Sequence, residues 1–243
     1  MKLIWRNNWL SCYESPLSVI DKICYANHIT QQEFHSYFSC VNNKEYLPPL
    51  TNHLDYKKIE NLISHQFTSH FKSTIYNLSH CFYNGKETPE IYFCKDLYYC
   101  EICSLYGYHS LLFQSKFITE CPFHQITLTN LCRACGFQLA YKLLRSQSIS
   151  QCCRNCSEPI LRHQDVFPNY PIYLEKDILT NAVLNFLNLE DNEVQHLQNI
   201  IYFSSNCDMA IEKLGLDFCL YIIQEKIKQE SKLAISSQPI SNN

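Results

Sequence analysis

Four short pairs of metal-ligating residues constrain this chain more than any other feature. They are Cys100-x-x-Cys103, Cys121-x-x-His124, Cys132-x-x-Cys135 and Cys153-x-x-Cys156. Seventeen residues lie between Cys103 and Cys121, seventeen between Cys135 and Cys153, and seven between His124 and Cys132. A two-residue spacer lets a tight turn put two soft ligands on one edge of a tetrahedron, and a second pair supplies the other edge. The spacing predicts two Zn2+ ions held by two modules of one design in tandem. Cys100, Cys103, Cys121 and His124 hold the first; Cys132, Cys135, Cys153 and Cys156 hold the second. A cross-braced ring would place its middle His much nearer the next Cys pair, so sequential sites are favoured. Four protein ligands close each site and leave no position for a catalytic water. Gly136 suits the positive φ that follows such a turn. Cys152 rivals Cys153, but only Cys153 keeps the two-residue spacing to Cys156.

Cysteine totals 15 in 243 residues. An odd count makes a poor disulfide framework, and a chain this long can build a core without staples. The first twenty residues lack the apolar run and small-residue cleavage site of a signal peptide. No stretch approaches the ~18 apolar residues of a membrane span. A reduced, cytoplasmic setting away from membranes is expected, in which paired cysteines mean metal. Cys12, Cys24, Cys40, Cys81, Cys94, Cys207 and Cys219 read as small core residues.

The four glycines stand far apart, at 85, 107, 136 and 215. No dinucleotide-binding loop, P-loop or serine-hydrolase elbow can be written from them. His-Glu-x-x-His is absent, and no His is followed two places on by Glu, as a zinc deaminase would need. Glu14, Glu87, Glu90 and Glu101 read as exposed carboxylates with no pairing logic. The chain is therefore expected to have no active site.

Charge divides the sequence. Residues 1–95 carry +1, residues 96–163 carry +2 and residues 164–243 carry −6. The expected fold is mainly α with small zinc-bound β/loop modules. It comprises an N-terminal helical domain (1–91), tandem zinc fingers (92–163), an acidic helical region (164–233) and a disordered tail (234–243). Glu14-Ser15-Pro16 opens the first helix, with Leu17, Ile20, Ile23, Cys24 and Asn27 at helical spacing. A second helix covers Gln31 to Val41, with Phe34, Tyr37 and Phe38 inward. A third runs from Asp55 to about Phe71, with Ile59, Leu62, Ile63, Gln66 and Phe67 on one face. Ile178, Ala182, Val183, Phe186 and Leu187 make a later stripe, as do Leu216, Cys219, Leu220 and Ile223.

Seven thiolates against two divalent ions take the middle segment from +2 to −1. Arg133 and Arg154, inside the turns, either compensate thiolate charge or touch phosphate. Lys142, Arg145 and Arg162, with Tyr141 alongside, are the better-placed nucleic-acid candidates. A duplex binder normally needs more free Lys/Arg than this.

Several segments together resemble the TniQ/TnsD family of transposon target-selection proteins. They are Tyr13-Glu14-Ser15-Pro16-Leu17-Ser18, Ala26-Asn27, Tyr99-Cys100-x-x-Cys103, Gly107-Tyr108-His109-Ser110, Cys121-Pro122-Phe123-His124, Leu128 and Cys132-x-x-Cys135-Gly136. The resemblance covers about residues 9–160, and Gln125 stands where Gly is common after the first-site His. It implies a non-catalytic adaptor that selects a target site, as DNA or through a guide-RNA effector complex. Such an adaptor recruits an AAA+ ATPase, which engages the transposase. The N-terminal helices would then offer the partner surface, and the zinc modules would brace the fold. A homodimer is compatible with this role. The alternative is a zinc-finger transcriptional regulator acting directly on DNA, which needs a recognition helix and a positive face in the acidic last third. A metalloenzyme would need an open zinc position.

Overall fold

A computed structural model of the chain describes residues 2–39, 54–79, 93–116, 118–142 and 146–171. The expected helices around 178–187 and 216–223 lie outside the described residues, as do the tail, Arg145, Glu87, Glu90, Cys40, Cys81, Cys207 and Cys219. Among the described residues, five α-helices run in order: α1 (Pro16–Asn27), α2 (Gln31–Phe38), α3 (Tyr56–Ile63), α4 (Thr68–Ser79) and α5 (Glu101–Leu105). Among the described residues the β structure consists of isolated antiparallel bridges. No helix among these residues is long and apolar enough to cross a membrane.

Local chemistry explains the helix ends. Ser15 caps α1 by accepting from the Ser18 N–H, and Pro16 occupies the first turn, where its missing N–H costs nothing. His28 ends α1 in the left-handed region at φ 53°. Thr30 and Glu33 form a reciprocal capping box at the start of α2. That helix stops at Phe38, short of the expected Val41, and Ser39 turns out to pair with Leu54.

The single helix expected over 55–71 is two helices. Ser64 adopts φ 56° and closes α3. The Glu60 carboxylate then accepts the N–H groups of Phe67 (2.8 Å) and Thr68 (2.7 Å) and so starts α4. The apolar spacing continues across the break, but Gln66 is exposed while Ile59, Ile63 and Phe67 are buried. Phe34 and Phe38 point inward as expected. Tyr37 does not: it is exposed, with Lys58 over its ring.

α1 packs on α2, α2 on α3, and α4 on a 3-10 turn at Leu111–Gln114. One buried apolar cluster runs from Leu3 through these helices to the metal-ligating cysteines and on to Leu161. Cys24 belongs to that core, whereas Cys12 and Cys94 are only half-buried.

Glu14 departs most from expectation. It is fully buried, not exposed. Its carboxylate accepts from Lys22 Nζ (2.7 Å), Ser18 Oγ (2.5 Å) and the Ser11 N–H (2.9 Å). Beside it, buried Asp21 accepts from the Gln151 N–H (2.6 Å) and from Gln31 Nε2 (2.8 Å), and pairs with His163 Nε2 (2.8 Å). These groups tie α1 to residues about 130–142 positions later in the chain. Glu101, by contrast, is exposed as expected.

Gly107 marks the closest approach in this joint. Its φ is +63°, and an added Cβ would stand 2.6 Å from His163 Nδ1. Gly107→Ala should therefore cost more than the ~1–2 kcal/mol of a left-handed residue alone, reaching about 3 kcal/mol with the overpacking. Urea titration of metal-saturated protein checks this.

Candidate metal centre

The eight expected ligands gather into two groups, Cys100, Cys103, Cys121 and His124, and Cys132, Cys135, Cys153 and Cys156. Within each, all ligand atoms lie within 4.8 Å of one another. In the first, Cys103 and Cys121 Sγ are 3.7 Å apart, and His124 Nδ1 lies 3.4, 3.3 and 3.5 Å from the sulfurs of Cys100, Cys103 and Cys121. In the second, Cys132–Cys156 and Cys135–Cys153 are 3.6 and 3.7 Å apart. A tetrahedron with Zn–S bonds of ~2.3 Å has S–S edges of about 3.8 Å, and one His nitrogen shortens its edges to about 3.5 Å. Two metal ions fit these clusters, and the thiolate-rich donor sets suit Zn2+.

Crowding alone would set the thiols against each other. Hydrogen bonding with Cys103 and Cys121 pulls Cys100 down to about 2, while burial pushes Cys103 far up. A divalent ion removes that conflict by taking every sulfur as thiolate.

Three of the four pairs are built alike. In each, the N–H four residues after the first ligand bonds back to that ligand's carbonyl: Gln125 to Cys121, Gly136 to Cys132 and Ser157 to Cys153, all at 2.8 Å. The first ligand's own N–H donates to the carbonyl five residues on, at Ile126, Phe137 and Glu158. Bridges Glu120–Thr127, Leu131–Gln138 and Cys152–Pro159 close the three turns in the same register. The fourth pair differs. Cys100 is the N-cap of α5, its sulfur accepting from the Cys103 N–H, so these ligands come from a helix start. The tandem symmetry read from the spacing thus holds for the second half of each site only.

The residue after each turn has positive φ: Gln125 at 54°, Gly136 at 69° and Ser157 at 61°. The expected role of Gly136 is met, and two non-glycines share it. Position alone, four residues after the first ligand, could have identified them. Nothing lies within 4 Å of a Cβ built on Gly136, so Gly136→Ala should cost only the backbone term, about 1 kcal/mol. Ser157→Gly should gain a few tenths of a kcal/mol, because relief of strain is offset by glycine's unfolded-state entropy of ~0.5–1 kcal/mol. Melting of the metal-saturated variants reads both signs.

Arg133 is bound within the protein. It donates to Glu158 Oε1 (3.0 Å) and to the Pro159 carbonyl (2.6 Å), bracing the two halves of the second cluster. Arg162 lies 3.4 Å from the same carboxylate. These two arginines hold Glu158 below the usual carboxylate range. Sequence reasoning overlooked Glu158, the residue that occupies them. Lys142 and Arg154 are exposed, and Arg145 lies outside the described residues. No protein-family model matches the chain, and no curated protein matches its sequence.

His109 ties the N-cap of α1 to the backbone just before Cys100. Its Nδ1 lies 2.7 Å from Ser15 Oγ and its Nε2 2.9 Å from the Tyr98 carbonyl. Complete burial lowers its pKa from 6.5 to about 4, against the raising effect of the Tyr98 carbonyl. Between those values the unfolded chain binds the proton and the folded one does not. Stability contributed by neutral His109 is therefore present above pH 6.5 and lost as pH falls towards 4, by about 3 kcal/mol in all. His109→Gln should flatten this slope by one proton relative to the parent, measured by urea titration at several pH values with metal in excess.

Proposed function

We propose that the chain is a non-catalytic adaptor of DNA transposition, braced by two structural Zn2+ ions. It selects a target site, as DNA or through a guide-RNA complex, and recruits an AAA+ ATPase that engages the transposase. The reading rests on the resemblance carried by residues 13–18, 107–110 and the cysteine pairs. One observation supports it above the others: the first two of these segments, some ninety positions apart, form a single joint. Ser15 N–H donates to the His109 carbonyl (2.8 Å), Leu111 N–H to the Tyr13 carbonyl (2.7 Å) and Ser18 Oγ to the Gly107 carbonyl (3.0 Å). Both segments are thus accounted for by one structural role, holding the helices against the first metal cluster.

The clusters have four protein ligands each, which suits bracing and leaves no open coordination position. Of the arginines and lysines proposed for phosphate contact, Arg133 and Arg162 are engaged by Glu158, which leaves Lys142 and Arg154 exposed among the described residues. Occupation of those two arginines favours contact through a protein or ribonucleoprotein partner over direct reading of DNA. Affinity capture of the tagged chain from its native cells should recover an AAA+ ATPase, and association with target DNA should require that partner or a guide complex. Capture with no ATPase, together with no binding to DNA or guide complex, would remove the reading.

A further inference from the structure

The two clusters differ sharply in access. Cys100, Cys103 and Cys121 are all 0% exposed, and the rings of Tyr108, Phe113 and Phe123 pack together beside them. In the second cluster Cys132 and Cys153 are buried, but Cys135 and Cys156 are exposed. Thiolate chemistry follows exposure, so an oxidant reaches the second set first. Two thiols outside the clusters, Cys24 and Cys94, are pushed up by burial and stay protonated.

Half of the second cluster, Cys153 and Cys156, also sits in the middle of a strap. Before it, the Ser146 and Ser148 carbonyls accept the N–H groups of Gln32 and Gln31, and the Gln151 N–H donates to Asp21. After it, the Arg162 N–H donates to the Ser104 carbonyl, and His163 pairs with Asp21. An ion joining Cys132 and Cys135 to Cys153 and Cys156 pins the strap between its two anchors.

We propose that the second cluster is an oxidation-released clasp. A peroxide-class oxidant converts two of its thiolates to a disulfide, expels the ion and frees residues 146–163 from α1 and α2, while the first cluster keeps its ion. The two sulfurs give up two electrons and form the S–S bond. The peroxide takes up those electrons with two protons and leaves as two waters. The remaining two thiolates cannot close a tetrahedron, so Zn2+ departs to solvent. All four sulfurs lie within 4.8 Å of one another, so either Cys-x-x-Cys pair can close a disulfide inside its own turn, which leaves residues 153–156 untied from 132–135.

The test uses the full chain loaded with two equivalents of Zn2+ and treated with hydrogen peroxide. A chromogenic chelator counts released metal, peptide mass spectrometry locates the disulfide, and hydrogen exchange follows the strap. One equivalent should leave, with the disulfide inside Cys132–Cys135 or Cys153–Cys156; a disulfide joining one pair to the other would keep the strap tied and overturn the proposal. Exchange at 146–163 should quicken about tenfold or more, with 100–128 unchanged, and reductant plus Zn2+ should restore it. Cys156→Ser should hold one ion and show the quickened strap without peroxide. Loss of both ions together, oxidation of the first cluster before the second, release with no change in the strap, or a Cys156→Ser chain unable to keep the first ion would each overturn the proposal.

Discussion

Replacing Cys103 by Ser should abolish the folded state of the described region. Cys103 is fully buried, and its sulfur lies 3.7 Å from Cys121 Sγ and 3.3 Å from His124 Nδ1. A structural zinc ion contributes about 10–16 kcal/mol of apparent binding free energy at neutral pH. A whole domain is stable by only about 5–15 kcal/mol. Loss of the first ion therefore exceeds what the helices can supply, because the cluster is continuous with their core and is not a satellite of it. The expected result is a chain with at most one bound equivalent, no cooperative melt and collapsed near-UV circular dichroism. Strong chelation of the parent protein should reach the same end state. A Cys103→Ser protein with a parental melting curve would show that the first cluster does not hold the fold.

The clusters were legible because their determinants are local. A two-residue spacer is demanded by the geometry of a tetrahedral edge, and it survives in sequence whatever surrounds it. The starts of α1 and α2 were legible for a similar reason, since Ser15-Pro16 and Thr30 act within three residues of themselves. The break at Ser64 was not. Ile59, Ile63 and Phe67 keep helical spacing through it, and a serine in the left-handed region gives no compositional warning. The different build of the Cys100 pair was hidden too, because Cys-x-x-Cys fits both a helix start and a turn. The spacing left Arg133 open between thiolate compensation and phosphate contact, whereas its partner is a carboxylate, Glu158, that the pattern of ligands gave no reason to single out. Least visible was the joint between α1 and the strap. Asp21 and His163 stand 142 positions apart, and Ser15 and His109 stand 94 apart. No periodicity links such pairs, and a Glu met early in a sequence is ordinarily solvated.

Glu14→Ala should be the most damaging substitution away from the metal ligands. It leaves Lys22, 1% exposed, as an uncompensated buried cation. Burial already lowers the Lys22 pKa, and Glu14 is the group that opposes this. The Trp9 carbonyl at 2.7 Å and the face of Tyr170 at 4.6 Å remain beside Lys22. Breaking one partner from a buried pair typically costs about 3–5 kcal/mol. Removing both charges is a different matter. Glu14→Met with Lys22→Met deletes the unpaired cation; the Ser11 N–H loses the Glu14 carboxylate and the Trp9 carbonyl loses the Lys22 ammonium, while Ser18 Oγ keeps the Gly107 carbonyl. The lost Glu14 acceptor is common to both variants. A lost hydrogen bond to the Trp9 carbonyl costs about 1–2 kcal/mol, less than the buried cation it replaces, so the double variant should be more stable than Glu14→Ala by roughly 2 kcal/mol. Urea titrations of both variants with metal in excess measure the difference. If Glu14→Ala lost less than about 1 kcal/mol, the pair would be acting like a solvated surface bridge, and the joint it anchors could not be what holds α1 to the metal-binding half.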